Sequence, residues 1–346
     1  MTVNDLFAPQ AEQAPPPPEP ARSHRRRLIP VLAIVAALLV ILAAVAGWYL
    51  RTGKPLSQLP GIARNTGPHY VFSIYGVAKP LGVAVGRDGD RIYVTESGGQ
   101  RVVHVFGRDG KQVGTLTPPA APSGSPVPVY IAVNPVTDEV YVSDRMSAAI
   151  LVYGKDGAYR RTFAPKGDLG KGWAPLGLAF DTQGRLFVSD VRSTGGHRVL
   201  VFSPDGTLQR SLGEGLGLSY PNGVVVDDRG VVAVCDSNNA RVLLFTPDGA
   251  PAARIVSGAA DNLLGLPRGI ATDDGKRLYV VDAADHTVQI YRIPDAVTGT
   301  PQYVSSFGAE GTGDGSFEYP NGMATDSHAR LYITDRENDR VQVWSY

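Results

Sequence analysis

Six copies of one pattern fill the chain from Pro80 to its last residue, and they restrict the fold more than any other feature. The copies open at Pro80, Pro128, Pro175, Pro221, Pro267 and Pro320, spaced 46 to 53 residues apart. The fourth reads PNGVVVDDRGVVAVCDSNNARVLLF and the sixth PNGMATDSHARLYITDRENDRVQVW. Each copy consists of short apolar runs parted by turn residues, and in the fourth copy strands are expected at 223–227, 231–235, 241–245 and 252–256. Asp-Gly pairs mark the hairpins: Asp88-Gly89 joins first and second strands, while Asp109-Gly110, Asp156-Gly157, Asp205-Gly206 and Asp248-Gly249 join third and fourth.

A four-stranded unit of this size cannot cover both of its sheet faces by itself. A period in the forties therefore predicts units packed around an axis, an all-β fold: a six-bladed β-propeller of four-stranded blades over residues 70–346. A solenoid of the same units would leave both ends uncapped. The sixth copy stops at Tyr346 after three strands, and the missing strand is expected from the other end of the domain. There YVFSIYG at 70–76 parallels YVSSFG at 303–308, the fourth strand of the fifth copy. Residues 70–75 would then pair with the last strand, cover its edge and close the ring as an N-terminal strand.

The units resemble the NHL repeat, whose pattern is roughly Pro-x-Gly-Val-Ala-Val-Asp, a short gap, Ile-Tyr-Val-x-Asp, a polar turn with Asn, and Arg-Val-x-Val-Phe. The match is fullest at Pro221, Gly223, Asp227, Asp236, Asn239 and Arg241, and at Pro320, Gly322, Asp326, Asp335, Asn338 and Arg340. It weakens in the second copy, where Tyr130, Asn134 and Ala149 replace the Gly, Asp and Arg, and in the fifth, where Thr287 replaces the Arg. The resemblance implies the propeller. For function it implies several things at once: extracellular sensor modules, protein or RNA scaffolds, and a metal-dependent lyase of peptide amidation.

Ahead of the repeats, 1–27 is a Pro-rich tail expected to be disordered, with four consecutive prolines at 15–18. Residues 28–50 carry no charge and would form roughly 35 Å of helix, enough to cross a hydrocarbon core of about 30 Å. Arg22, Arg25, Arg26 and Arg27 precede this stretch, against Arg51 and Lys54 after it. That bias predicts a single-pass transmembrane helix with the N-terminus cytoplasmic, a linker at 51–69 and an extracytoplasmic propeller at the cell membrane. Ala44-Val45-Ala46 before Gly47 leaves a cleaved signal peptide as the alternative.

Lys plus Arg and Asp plus Glu are both 33, and a chain without net charge is poorly suited to neutralising phosphates, so nucleic acid is disfavoured as a partner. A single cysteine excludes a disulfide framework and a multi-cysteine zinc site. No cofactor is implied by the residues, with calcium or zinc left open.

An acid recurs after every second strand, at Glu96, Asp144, Asp190, Asp236, Asp282 and Asp335, and Arg101, Arg198, Arg241 and Arg340 stand at the start of the third strand. What every blade carries is expected to hold the blade together, as acid and base pair or brace the turn, whereas a site should break the repeat. One break lies before the Gly of each inner strand, which reads Leu81, Val129, Leu176, Asn222, Arg268, Asn321 around the ring. Half of the channel mouth is thus expected to be apolar and half to offer two amides and a guanidinium. Asn222, Arg268 and Asn321, with Tyr220 and Tyr319 beside them and Tyr130 and Trp173 near the apolar half, are the ligand-binding candidates. No catalytic residue and no metal ligand is identified; His197 and His286 lack an evident third ligand. The function expected from these readings is a membrane-tethered binding or scaffold module, non-enzymatic, that recognises a protein, peptide or small anionic ligand. The alternative is a metal-dependent lyase or hydrolase acting in the channel mouth.

Overall fold

The computed structural model describes residues 25–52, 67–119, 126–192, 196–256, 258, 263–273 and 277–346. The Pro-rich tail up to residue 24, most of the expected linker and the middle of the Pro- and Ser-rich connection at 117–128 lie outside the described residues. The chain divides into two units, Met1–Thr52 and Gly53–Tyr346. In the first, α1 (Arg25–Thr52) is a single apolar helix, and its stretch Ile34–Arg51 is long and apolar enough to cross a membrane. A signal sequence meets the same test of length and composition.

The second unit is a ring of six antiparallel four-stranded sheets. The inner strands are β2 (Pro80–Val85), β6 (Pro128–Val133), β10 (Pro175–Phe180), β14 (Pro221–Val226), β18 (Pro267–Thr272) and β22 (Pro320–Thr325). Each opens a blade of consecutive hairpin-linked strands, and each begins on a repeat proline. The sixth blade is completed as expected: β1 (His69–Ile74) pairs antiparallel with β24 (Arg340–Ser345), so the first and last strands of the domain close the ring. The blades hold together by burying alternate apolar faces against their neighbours. Between the fourth and fifth, for instance, Val242, Leu244, Leu278, Val280 and Tyr291 form one core, each at most 1% exposed.

Two features of the inner strands govern what faces the channel. In all six the register slips by one residue just after the proline: Pro221 lies opposite Asp236, but the next pair is Val224 with Val234. The same slip follows Pro80, Pro128, Pro175, Pro267 and Pro320. Such a bulge re-aims a side chain, and here it turns the residue after each proline toward one mouth of the channel. The next position is Gly in five blades because blade crosses blade there: a Cβ on Gly177 would stand 1.9 Å from the Asn222 carbonyl oxygen, and one on Gly223 2.4 Å from that of Arg268. Hydroxyls at the end of the second strand pin this crossing. Thr95 donates to the Val129 carbonyl (2.7 Å), Ser143 to Leu176 (2.8 Å) and Ser189 to Asn222 (2.9 Å).

The recurrent acids are structural, as their repetition suggested. Asp190, Asp236 and Asp335 pair with Arg198, Arg241 and Arg340 at 3.0, 2.6 and 2.7 Å, and the same carboxylates accept backbone N–H groups of the chain entering the blade. Asp144 and Asp282 lack an arginine and are satisfied by N–H groups of 127 and 147, and of 265 and 266. The first blade departs from the expected pairing. Arg101 sits one residue early, in the left-handed turn (φ 56°), and is exposed; the buried Glu96 instead pairs with His104 of the neighbouring strand.

Candidate functional site in the channel mouth

At the mouth toward which the bulges point lies a cavity of about 720 Å³. Its wall includes Asn222, Arg268 and Asn321, together with Tyr130, Tyr220 and Tyr319. The opposite half of the wall is apolar, with Leu81, Val129 and Leu176. Trp173 is the exception among the candidates. It is 6% exposed, packs edge-on against Phe202 at 6.3 Å within the core between the second and third blades, and does not line the cavity. The indole follows a short helical turn at 167–170, whose preceding chain carries it inward to fill the gap between sheets rather than toward the axis.

Tyr220 and Tyr319 hold left-handed backbone, at φ 55° and 53°, each directly before a strand proline. For a bulky residue this conformation is strained by roughly 1–3 kcal/mol and persists only where the surroundings impose it. Part of what imposes it is visible: the Tyr319 N–H donates to His286 Nδ1 (3.1 Å), and the His197 ring lies edge-on to that of Tyr220 (6.3 Å). Both histidines thus support the tyrosines of the mouth.

Arg268 is half-buried. Its Nη1 donates to Asn321 Oδ1 and its Nη2 to Tyr319 Oη, both at 3.4 Å, and its guanidinium lies over the Tyr319 ring, 5.5 Å from the centroid. Its Nε is buried without a hydrogen-bond partner, and among the described residues no carboxylate pairs with it. Asn321 links two groups, because its Nδ2 also donates to the Leu81 carbonyl (2.9 Å) and to Tyr130 Oη (3.4 Å). Asn222 is more inward-looking: 2% exposed, it donates to Ser237 Oγ at 2.7 Å.

The structure adds to the mouth Arg145, Arg336, Asp144 and Glu337, which the sequence reading missed. They come from the turns after the second strands, which vary from copy to copy; the runs Asp144-Arg145 and Asp335-Arg336-Glu337 were the available signal. Asp144 is saturated by the Val127 N–H and by the N–H and hydroxyl of Ser147. Glu337 lies between Lys79 and Arg336, and these cations hold its carboxyl below the usual glutamate range. Two engaged acids against three arginines leave the cavity suited to an anion or to a developing negative charge.

This donor set does not fit calcium or zinc. Amides, phenols and guanidiniums dominate the wall, and among the described residues no group of three or more His, Cys, Asp or Glu side chains is placed to hold a metal ion.

An NHL-repeat family model matches residues 218–245, the fourth repeat and the chain entering it. Several solved structures share the propeller. A Bacteroides thetaiotaomicron protein of unknown function superposes with a TM-score of 0.61 at 17% identity, covering 81% of this chain and 72% of its own. A gluconolactonase from Xanthomonas campestris gives 0.60 at 18% (79% and 88% covered), and a streptogramin B lyase 0.55 at 11% (80% and 97% covered). At these identities the likeness is one of fold. The expectation of a non-enzymatic module is corrected to this extent: propellers of the same fold include a lyase and a lactonase, so the fold does not favour a purely binding role.

Proposed function

We propose that the protein is a hydrolase, of the lyase-or-hydrolase class expected as the alternative, which opens a small lactone or ester in the channel mouth without the metal dependence of that expectation. The observation that carries the reading is Arg268, a cation in a cavity wall with no carboxylate partner among the described residues and its Nε buried and unsatisfied. A guanidinium so placed stabilises negative charge on a carbonyl oxygen as a tetrahedral intermediate forms. Glu337 is the carboxylate of the same wall that keeps side-chain exposure, 30%; ionised at neutral pH beside Lys79 and Arg336, it is the acceptor assigned to the proton of the attacking water. Water adds to the carbonyl carbon, its proton passes to Glu337, the oxyanion rests against Arg268, and collapse expels the alkoxide, which recovers the proton. The lactonase of like fold supports the substrate class.

The arginines ahead of the apolar stretch 28–50 support a helix retained in the membrane with the N-terminus cytoplasmic and the propeller outside. A reporter fused after residue 50 that is active only on export, paired with one near residue 21, tests the orientation; recovery of a soluble form beginning at Gly47 would show a signal peptide instead.

For the chemistry, γ-butyrolactone, δ-valerolactone and phenyl acetate are offered to the full chain. Arg268→Leu and Glu337→Gln should each lower turnover by about 10²-fold with the melting temperature retained. Failure of the parent to open any of these substrates, or equal rates in Arg268→Leu, overturns the reading.

A further inference from the structure

Tyr130 occupies the position that is Gly in the other five blades, and its side chain uses the room this exception creates. From β6 in the second blade it reaches past the first blade to Asn321 in the sixth, whose Nδ2 donates to its hydroxyl oxygen at 3.4 Å. That oxygen serves as acceptor in the contact, so its own proton remains to be given. Burial raises the phenol's pKa, with Arg268 opposing, which keeps the proton in place at neutral pH.

Beneath the mouth lies a second, smaller cavity, walled by one apolar residue from each blade: Val83, Ile131, Leu178, Val224, Ile270 and Met323. Among the described residues, Tyr130 is the only one shared by the walls of the two cavities. It is therefore the partition between the mouth and the small cavity of about 40 Å³ beneath it.

We propose that Tyr130 sets the specificity of the site: its hydroxyl donates to an oxygen of the substrate held by Arg268, and its ring is a floor that confines the site to short acyl groups by shutting them out of the cavity beneath. The proposal rests on the mouth being the reactive site and names the acyl class it takes, a short carbonyl or carboxylate compound.

The test measures binding of butanoate and octanoate, as acyl probes, to the full chain in nanodiscs by calorimetry. Tyr130→Phe should weaken butanoate about 10-fold and leave the octanoate-to-butanoate affinity ratio unchanged. Tyr130→Gly, which restores the residue of the other blades, should raise that ratio by 10-fold or more, since loss of the ring opens room for the added methylenes against the six apolar side chains beneath the mouth. Tyr130→Ala serves as a second opening variant should the glycine variant fold poorly. If Arg268→Leu loses butanoate while the Tyr130 variants keep both the affinity and the ratio of the parent, the inference on Tyr130 is overturned and the mouth reading stands. If the parent binds neither probe, or Arg268→Leu binds like the parent, both fall.

Discussion

Tyr70 lies directly opposite Trp344 across the sheet, their rings edge to face with centroids 6.1 Å apart. Trp344 also packs against Phe307 of the fifth blade and Phe317 of the connection to the sixth, at 4.4 and 5.8 Å. One indole thus ties the two ends of the domain to the neighbouring blade. Trp344→Ala should lower stability by about 3–5 kcal/mol, read from urea unfolding. The amides of β1 should exchange as slowly as those of β24. Exchange in β1 as fast as in a frayed terminus would contradict ring closure as the source of stability.

Arg241 and Arg268 are arginines of opposite kind. The first supports the carboxylate of Asp236, which is fully buried and keeps its contacts to Ser219 and Asn239 when the guanidinium is lost. Arg241→Leu should therefore destabilise by roughly 1.5–3 kcal/mol. Arg268→Leu should alter stability by less than about 1 kcal/mol while removing function. Denaturant midpoints of the two variants, compared with their turnover, check the contrast; equal losses of stability would count against it.

Glycine at the blade crossing is required by space. Gly177→Ala drives a Cβ against the Asn222 carbonyl oxygen and should cost about 1–3 kcal/mol. Gly114, in the exposed outer strand β5 (Gln112–Leu116), has nothing within 4 Å of a built Cβ, so Gly114→Ala should be neutral or stabilising by up to about 1 kcal/mol. Thermal melts of the pair measure the difference.

Cys235 is fully buried, and burial, with Asp282 and Asp236 nearby, raises its thiol well above the ordinary range. A chromogenic disulfide reagent should leave the native protein untouched and react with one thiol after unfolding. Because the folded pKa exceeds the unfolded one, the stability due to the neutral thiol is complete below about pH 8.5 and declines as pH rises toward the folded value. Cys235→Ser places there the residue of the second and third blades and should remove this decline. Melting temperatures near pH 7 and about pH 10, taken for both proteins, decide it: an equal drop in each would show that the thiol is not the group responsible.

The repeat determined by itself the number of blades, the strands within each and the origin of the closing strand, because apolar periodicity and turn residues are local properties that every copy restates. It also showed which positions break the pattern, and so pointed to Asn222, Arg268 and Asn321. Direction was decided by the tertiary structure. The bulge after each inner proline depends on pairing with the second strand, and this one-residue slip carries the break positions to the mouth. The pairing of Glu96 with His104 rather than Arg101 was likewise a matter of register. Trp173 and Tyr130 show the same limit from two sides. Both are aromatics near the expected apolar half, yet one fills a gap between sheets and the other crosses the channel to Asn321. The void each ring enters is formed by residues distant in the chain, and no local pattern records its shape.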